Sequence, residues 1–303
     1  MKIAVLMGGN SSEWEVSLKT GYTVVNALRK IGWDVVPFPY ENDILPVIPT
    51  LQTMDIVFNA LHGGEGENGK IQQILEEHGL KYTGSGPEAS SLAMDKRRTK
   101  LLLEENHLPT PAWFSFHTDA PRSAGMDRDK LTYPVVVKPN ADGSTMGISL
   151  VKKAKNLDTA VELAEEFGPE ILIEEYIPGR EITVAVLGDK SLPIIEIIPS
   201  HELYDYTCKY SEGMSRYGCP ADIPDELAQQ ISITTERIFE LMNCRHYGRV
   251  DFRLNLEGKF FCLEVNTLPG LTDTSLVPKA AQAAGISFEE LIKRIIHDAF
   301  CKE

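Results

Sequence analysis

Hydrophobic and polar positions along the chain change period repeatedly, and those changes lay out its elements. Residues 2 to 7 are a short, mostly apolar run that ends at Gly8-Gly9, and a helix running to about Arg29 follows. Ser12 and Glu15 have capping-box spacing and predict the start of that helix. Trp33 to Pro39 and Asp55 to Leu61 read as further strands, the second leading into a glycine-rich loop, His62 to Lys70, and a helix from Ile71 to His78. Strands alternating with helices describe a small parallel α/β unit.

A helix from Ser90 to Asn106 comes next, then a polar stretch to Asp129 that reads as the entry to another domain. Tyr133 to Pro139 is a strand, Asp142 to Ile148 a glycine loop, and a further strand runs through Val151. Asn156 to Phe167 has the pattern of an amphipathic helix, and Glu170 to Ile177 that of a strand broken at Pro178-Gly179. Glu181 to Leu187 and Leu192 to Pro199 continue as strands. Ser200 to Pro220 has no clear period but carries Tyr204, Tyr206, Lys209, Tyr210, Arg216 and Tyr217, which reads as a lid or binding loop against the alternative of a disordered connector. Asp225 to Met242 is a helix, and Phe288 to Phe300 a terminal amphipathic one.

Between these helices lie two alternating runs, Arg249 to Leu256 and Lys259 to Asn266, separated by Glu257 and Gly258, the spacing of a hairpin. With Leu256 facing Lys259, Phe252 is set against Leu263 and Val250 against Val265 on one face. Asp251 then meets Glu264, and Arg249 meets Asn266, on the other. Like charges directly opposite repel, by roughly 3 kcal/mol at an effective dielectric near 20, so the pair needs solvent, the flanking Arg249 and Arg253, or a cation. Asp251, Glu264 and Asn266 form an all-oxygen set suited to Mg²⁺; a solvated polar face is the alternative.

Composition narrows the function classes. The 303 residues suit two or three domains, and a net charge of −14 leaves no surplus of Lys and Arg for general nucleic-acid binding. No membrane span or signal h-region is expected at the N-terminus. Five widely spaced cysteines without C-x-x-C suggest neither a zinc site nor a disulfide framework, and a reducing cytoplasm fits best. Gly64, Gly66 and Gly69 satisfy G-x-G-x-x-G, and Gly64 to Lys70 matches Walker A but for its last position. Both readings fail chemically: Glu65 and Glu67 stand where a pyrophosphate would sit, and Ile71 replaces the Mg²⁺-holding hydroxyl. The loop at Asp142 to Ile148, with Lys138 ending the strand before it, has instead the makings of a phosphate-covering flap.

A Lys-bearing strand, a glycine flap, an acidic-aromatic strand end and a distal Asp…Glu-x-Asn set together resemble the ATP-grasp fold. Within it the chain resembles the D-alanine–D-alanine ligase family over essentially its whole length. The matching motifs are GGNSSEWEVS from Gly8, LHGGEGENG from Leu61, TGSG from Thr83, MDK from Met94, VVKP…GSTMGIS, YDYTCKY from Tyr204 and GRVDF…LEVNTLPGLTDTSLVP. The resemblance implies a mixed α/β (α+β) fold of three domains: 1–95, parallel α/β with the first D-alanine site; 96–184, central, with the flap; and 185–303, with lid and Mg²⁺ site. The active site would lie between the last two. It implies ATP as substrate, two Mg²⁺ (or Mn²⁺) on Asp251, Glu264 and Asn266, and a cytoplasmic homodimer making a peptidoglycan precursor. Lys96 and Lys138 would grip the α and β phosphates and Lys209 approach the γ. Glu174, Tyr176 and Ile177 would form the adenine hinge, and Glu181 would take the ribose. Glu13, with His62 nearby, would receive the first ammonium; Ser144 and Tyr210 would close over it. Arg249 and the Gly270 N–H would stabilise the oxyanion, and Ser275 and Leu276 would receive the second carboxylate.

Tyr210 implies dipeptide rather than D-lactate depsipeptide formation, and Glu175 departs from the Lys of many relatives beside the adenine. Without the family, Glu13 reads as a carboxylate complementing a helix N-terminus, and His62 as a hydrogen-bonded structural residue. A nicotinamide-dependent oxidoreductase using the Gly64 loop predicts NAD binding without magnesium. A non-catalytic nucleotide sensor would be expected to have lost the metal or oxyanion residues. Another ATP-grasp ligase with a different acid and amine would differ at Glu13 and Tyr210.

Overall fold

A computed structural model describes residues 1–119, 131–141, 143, 145–201 and 213–301. Among these the strands form three sheets. The first is parallel, in the order β2-β1-β3, from β1 (Lys2–Gly8), β2 (Asp34–Tyr40) and β3 (Ile56–Asn59). Strand β1 is apolar on both faces because both are covered, as the continuous run predicts. Helix α1 (Trp14–Lys30) follows it, but the expected capping box is not made: Glu13 occupies the N-cap position and no side chain caps the helix. The 62–70 loop folds into a single turn, α2 (Gly64–Glu67), before α3 (Lys70–Glu77).

The helix expected from Ser90 to Asn106 is two helices, α4 (Pro87–Met94) and α5 (Lys96–Glu105), broken at Asp95. Asp95 has an extended backbone and its carboxylate caps α5 by accepting from the Arg98 N–H at 3.0 Å. Helical periodicity runs straight through such a break; the Asp-for-cap preference is the signal that marks it.

The second sheet is antiparallel, in the order β4-β7-β5-β6, from β4 (Trp113–His117), β5 (Val135–Pro139), β6 (Ser149–Val151) and β7 (Glu170–Glu175). It packs α6 (Leu157–Glu165) against its own cluster of valines and isoleucines. The third sheet runs β11-β10-β8-β12-β13, from β8 (Gly179–Leu187), β10 (Ile195–Pro199), β11 (Ser215–Gly218), β12 (Tyr247–Asn255) and β13 (Phe260–Asn266), with β9 (Lys190–Ser191) beside β8. Strand β11 lies inside the stretch read as loop, where its short polar sequence carries no apolar alternation. Strand β8 runs unbroken through residues 184 and 185, so a domain division there cuts a strand; sheet membership changes at Pro178-Gly179 instead. Helix α7 (Asp225–Leu241) covers one face of this sheet. Helices α8 (Leu276–Ala283) and α9 (Phe288–Cys301) carry the chain back to the first sheet, with which they share one core.

The hairpin β12–β13 departs from expectation in two places that cancel. The turn is one residue longer than expected, Asn255 rather than Leu256 facing Lys259, through an N–H donated to the Lys259 carbonyl at 2.8 Å. The ladder therefore pairs Leu254 with Phe260, Arg253 with Phe261 and Phe252 with Cys262, not Leu263. A bulge between Asp251 and Phe252 then takes up Leu263 as the extra residue. Beyond it Asp251 faces Glu264, Val250 faces Val265 and Arg249 faces Asn266, the expected pairs.

Candidate functional site

A cleft of about 290 Å³ lies where the first and third sheets meet. Glu13, His62 and Glu67 form one wall; Arg249, Glu264, Asn266 and Gly270 form another, with Ser275, Leu276, Lys96 and Gly143 at its edges. Lys138, Glu174, Tyr176, Ile177, Glu181 and Asp251 do not line this cleft. Ser144, Lys209 and Tyr210 lie outside the described residues, with most of the aromatic stretch around them.

Glu13 is buried beside a backbone that only glycine allows so near. Gly63 has φ +65°, and a Cβ there would stand 2.7 Å from Glu13 Oε2. His62 is fixed by its surroundings: Nε2 lies 2.9 Å from Thr20 Oγ1 and Nδ1 lies 3.6 Å from Glu67 Oε1. Ser11 donates to the His62 carbonyl, 2.5 Å away. Glu67, read as an obstacle to phosphate in the glycine loop, is thus turned into the cleft toward His62, one helical turn after Gly63.

On the opposite wall, side chains of alternate β12 residues point to one face. Arg249 grips Asp251 bidentately, Nε to Oδ1 at 2.8 Å and Nη2 to Oδ2 at 2.7 Å, and Thr183 donates to the same Oδ1 at 2.5 Å. This pairing answers the repulsion between Asp251 and Glu264. Arg253, expected to share that task, turns instead toward Ile177 and Glu181. No trio of His, Cys, Asp or Glu able to hold a metal occurs among the described residues. The set that fits a hard divalent cation is Asp251, Glu264 and Asn266, two carboxylates and an amide oxygen contributed by facing strands. Asn266 Oδ1 also accepts from the Leu268 N–H at 3.0 Å, which fixes the amide with oxygen toward the turn.

Two cations and an anion form the third group. Glu174 accepts from Lys138 Nζ at 2.6 Å on one oxygen and pairs with Lys100 Nζ at 2.8 Å on the other, all three buried. Burial alone would raise the Glu174 carboxyl, but the two lysines bring it below the ordinary value of 4.5. Burial drives Lys100 down, against the pull of Glu174. The Glu174 side chain thus ties both lysines to the strand end that leads into Tyr176 and Ile177. Lys100 was not singled out in the sequence, although it stands four residues after Lys96 on the same helix face. Asn140 joins the lysines' supports: its carbonyl accepts from the Lys96 N–H at 3.1 Å, its Oδ1 from the Arg97 N–H at 2.7 Å, and its Nδ2 donates to Asp95 at 2.9 Å.

At the entry to α8, Ser275 Oγ accepts from the Thr272 N–H at 3.0 Å and lies 2.9 Å from Thr272 Oγ1. Ser275 is the N-cap residue of α8, so the first amides of that helix, Leu276 among them, face the cleft.

Two family models match, "D-ala D-ala ligase C-terminus" over residues 102–297 and "D-ala D-ala ligase N-terminus" over residues 46–85. A D-alanine–D-alanine ligase of Geotalea uraniireducens is 43% identical over 301 residues, covering 99% of this chain and 96% of its own length. The crystal structure of a D-alanine–D-alanine ligase from Bacillus anthracis superposes with a TM-score of 0.89 at 36% identity, covering 99% of this chain and 97% of that one. The same enzyme complexed with ATP gives a TM-score of 0.87 at 34% identity over the same shares.

Proposed function

The chain belongs to the D-alanine–D-alanine ligase family, with its ATP-grasp fold, and we propose from that premise how its own residues carry the reaction. It is an ATP-dependent ligase that joins two D-alanines for a peptidoglycan precursor. The γ-phosphoryl of ATP passes to the carboxylate of the first D-alanine, giving an acylphosphate and ADP. The amine of the second attacks the carbonyl carbon, and phosphate leaves the tetrahedral adduct as the peptide bond forms.

The single observation that supports the residue assignment is the cleft, because the Glu13 carboxylate and His62 line it together with the Arg249 guanidinium and Gly270. Glu13 holds the first ammonium, with His62 beside it. Arg249 and the Gly270 N–H stabilise the oxyanion, a role in which one donor is worth about 3 to 4 kcal/mol. Ser275 and the Leu276 N–H receive the second carboxylate. Lys96 and Lys138 bind the α and β phosphates, Glu174, Tyr176 and Ile177 the adenine and Glu181 the ribose, and Lys209, Ser144 and Tyr210 complete lid and flap. Asp251, Glu264 and Asn266 would hold two Mg²⁺, or Mn²⁺, which supply charge neutralisation during phosphoryl transfer.

Three domains are part of this proposal, the central and last divided at Pro178-Gly179, since that is where the chain passes between sheets. So is a homodimer, supported by Trp14 and Tyr22, each 47% exposed and two turns apart on α1. No helix among the described residues is long and apolar enough to cross a membrane.

The test is phosphate release from ATP and Mg²⁺ with D-alanine, L-alanine, or D-alanine plus D-lactate, the product identified by mass. Release confined to D-alanine, giving the dipeptide, is expected. Tight ATP binding without D-alanine-dependent release would overturn the substrate assignment.

A further inference from the structure

The segment Tyr176 to Gly179 is the connection between the second and third sheets, and one side chain organises it. Arg253, on the middle of β12, is buried and spreads its guanidinium over this segment. Its Nε donates to the Ile177 carbonyl at 3.0 Å and its Nη2 to the Gly179 carbonyl at 3.0 Å. Nη2 also reaches the Tyr176 hydroxyl at 3.3 Å, and Nη1 the Glu181 carboxylate at 3.3 Å. The guanidinium lies over the Tyr176 ring, 5.3 Å from its centroid. Gly179 presses on the same strand: it has φ +141°, and a Cβ there would meet the Leu254 carbonyl at 2.1 Å.

A planar fork fits this arrangement and an ammonium does not, because the acceptors lie in several directions around one centre. Two of them are backbone carbonyls whose placement sets the path of the connection. Another is Glu181, for which Arg253 is the cross-strand partner in the ladder. Arg253 also shares its face of β12 with Arg249 and Asp251, roughly 13 and 7 Å away along the strand. The strand that presents groups to the reacting end of the nucleotide thus also holds the segment assigned to its base and ribose.

We propose that Arg253 is a positioning residue for the nucleoside half of ATP. It acts through Ile177, Gly179 and Glu181, holding the base-and-ribose subsite at a fixed distance from the phosphate end. This rests on the reading of Tyr176, Ile177 and Glu181 as the nucleoside site.

The test compares wild type with Arg253→Met and Arg253→Lys. It measures ADP affinity by calorimetry with Mg²⁺, inhibition by tripolyphosphate, which lacks base and ribose, and the KM of D-alanine. For Arg253→Met, ADP should bind about tenfold or more weakly, while tripolyphosphate inhibition and the D-alanine KM stay within about twofold. Arg253→Lys should lose most of the same affinity, since it keeps the charge but not the fork. Discrimination between ATP and 2′-deoxyATP should shrink in both. Parallel losses of ADP and tripolyphosphate, or no loss of ADP, would overturn the proposal, as would wild-type ADP affinity in Arg253→Lys. If Arg253→Met does not fold, Arg253→Lys alone decides by the same criteria. Wild type failing to bind ADP at all would instead overturn the nucleoside-site reading beneath it.

Discussion

Lys100 and Lys138 share one carboxylate, and the two ways of removing charge from this trio should differ sharply. In Glu174→Gln, two buried cations lose their counter-ion, and a buried charge left unpaired costs about 3 to 5 kcal/mol. In Lys100→Met, the Lys138–Glu174 pair survives at its 2.6 Å contact, and the expected loss in a denaturant melt is well under half of that. Equal losses would mean that Glu174 is not the common partner. Gly63→Ala is a second residue-scale test. A Cβ 2.7 Å from Glu13 Oε2 must push that carboxylate aside, so the D-alanine KM should rise at least tenfold while the ATP KM hardly moves. Burial pushes the Cys244 and Cys262 thiols from the ordinary 9.0 up to about 12. Their protonated forms are favoured by folding, so the stability they contribute is complete below pH 9 and lost as pH rises toward 12. Melts of wild type and Cys262→Ala should therefore converge above pH 9, at up to about 1.4 kcal/mol per pH unit. A constant difference up to pH 11 would contradict the burial argument.

Elements show why some of the site was legible and some was not. Period-2 alternation placed Asp251, Glu264 and Asn266 on one face, and the structure keeps them there, although both the turn and the ladder near it were misread. The longer turn and the bulge at Leu263 each shift register by one, in opposite senses, so only the stretch between them is displaced. Alternation reports which face a residue occupies, not how many residues the turn and the bulge hold. Arg253 illustrates the same limit: its face was legible, but the reach of a long side chain across to Ile177 depends on a neighbouring strand pairing no local pattern encodes. The break at Asp95 was missed because the helical period on either side is in phase. Asp95→Ala removes both the cap of α5 and a hydrogen bond from Asn140, so it should cost about 1 to 2 kcal/mol and raise the ATP KM through displacement of Lys96. Asp95→Asn keeps a capping oxygen and should recover most of the stability. Loss of stability without any change in ATP KM would separate the cap from the phosphate site.

At the scale of the molecule, the three sheets are not equally tied to one another. The first sheet shares its core with α8, α9 and residues of β8 and β10, such as Ala185 and Ile195, so the two ends of the chain form one apolar unit. The second sheet is built from consecutive sequence, β4 to β7 with α6, around a separate cluster that includes Val135, Val137, Val161 and Ile173. Among the described residues its ties to the rest include polar ones: the Lys100–Glu174 pair from α5, Asn140 to Asp95, and Arg253 on the connection after β7. Sequence-contiguous units with their own core open as cooperative pieces. Hydrogen exchange read by mass should therefore show β4 to β7 exchanging together and faster than β1, β3 and α9. ATP binds across the polar ties in the proposed reaction, so ADP with Mg²⁺ should slow exchange in β5, β7 and the 176–179 connection much more than in β1. D-alanine alone should not. If the second sheet exchanges at the rate of the first without nucleotide, the polar ties are as cohesive as a core, and ordering of this sheet by the nucleotide plays no part in assembling the site.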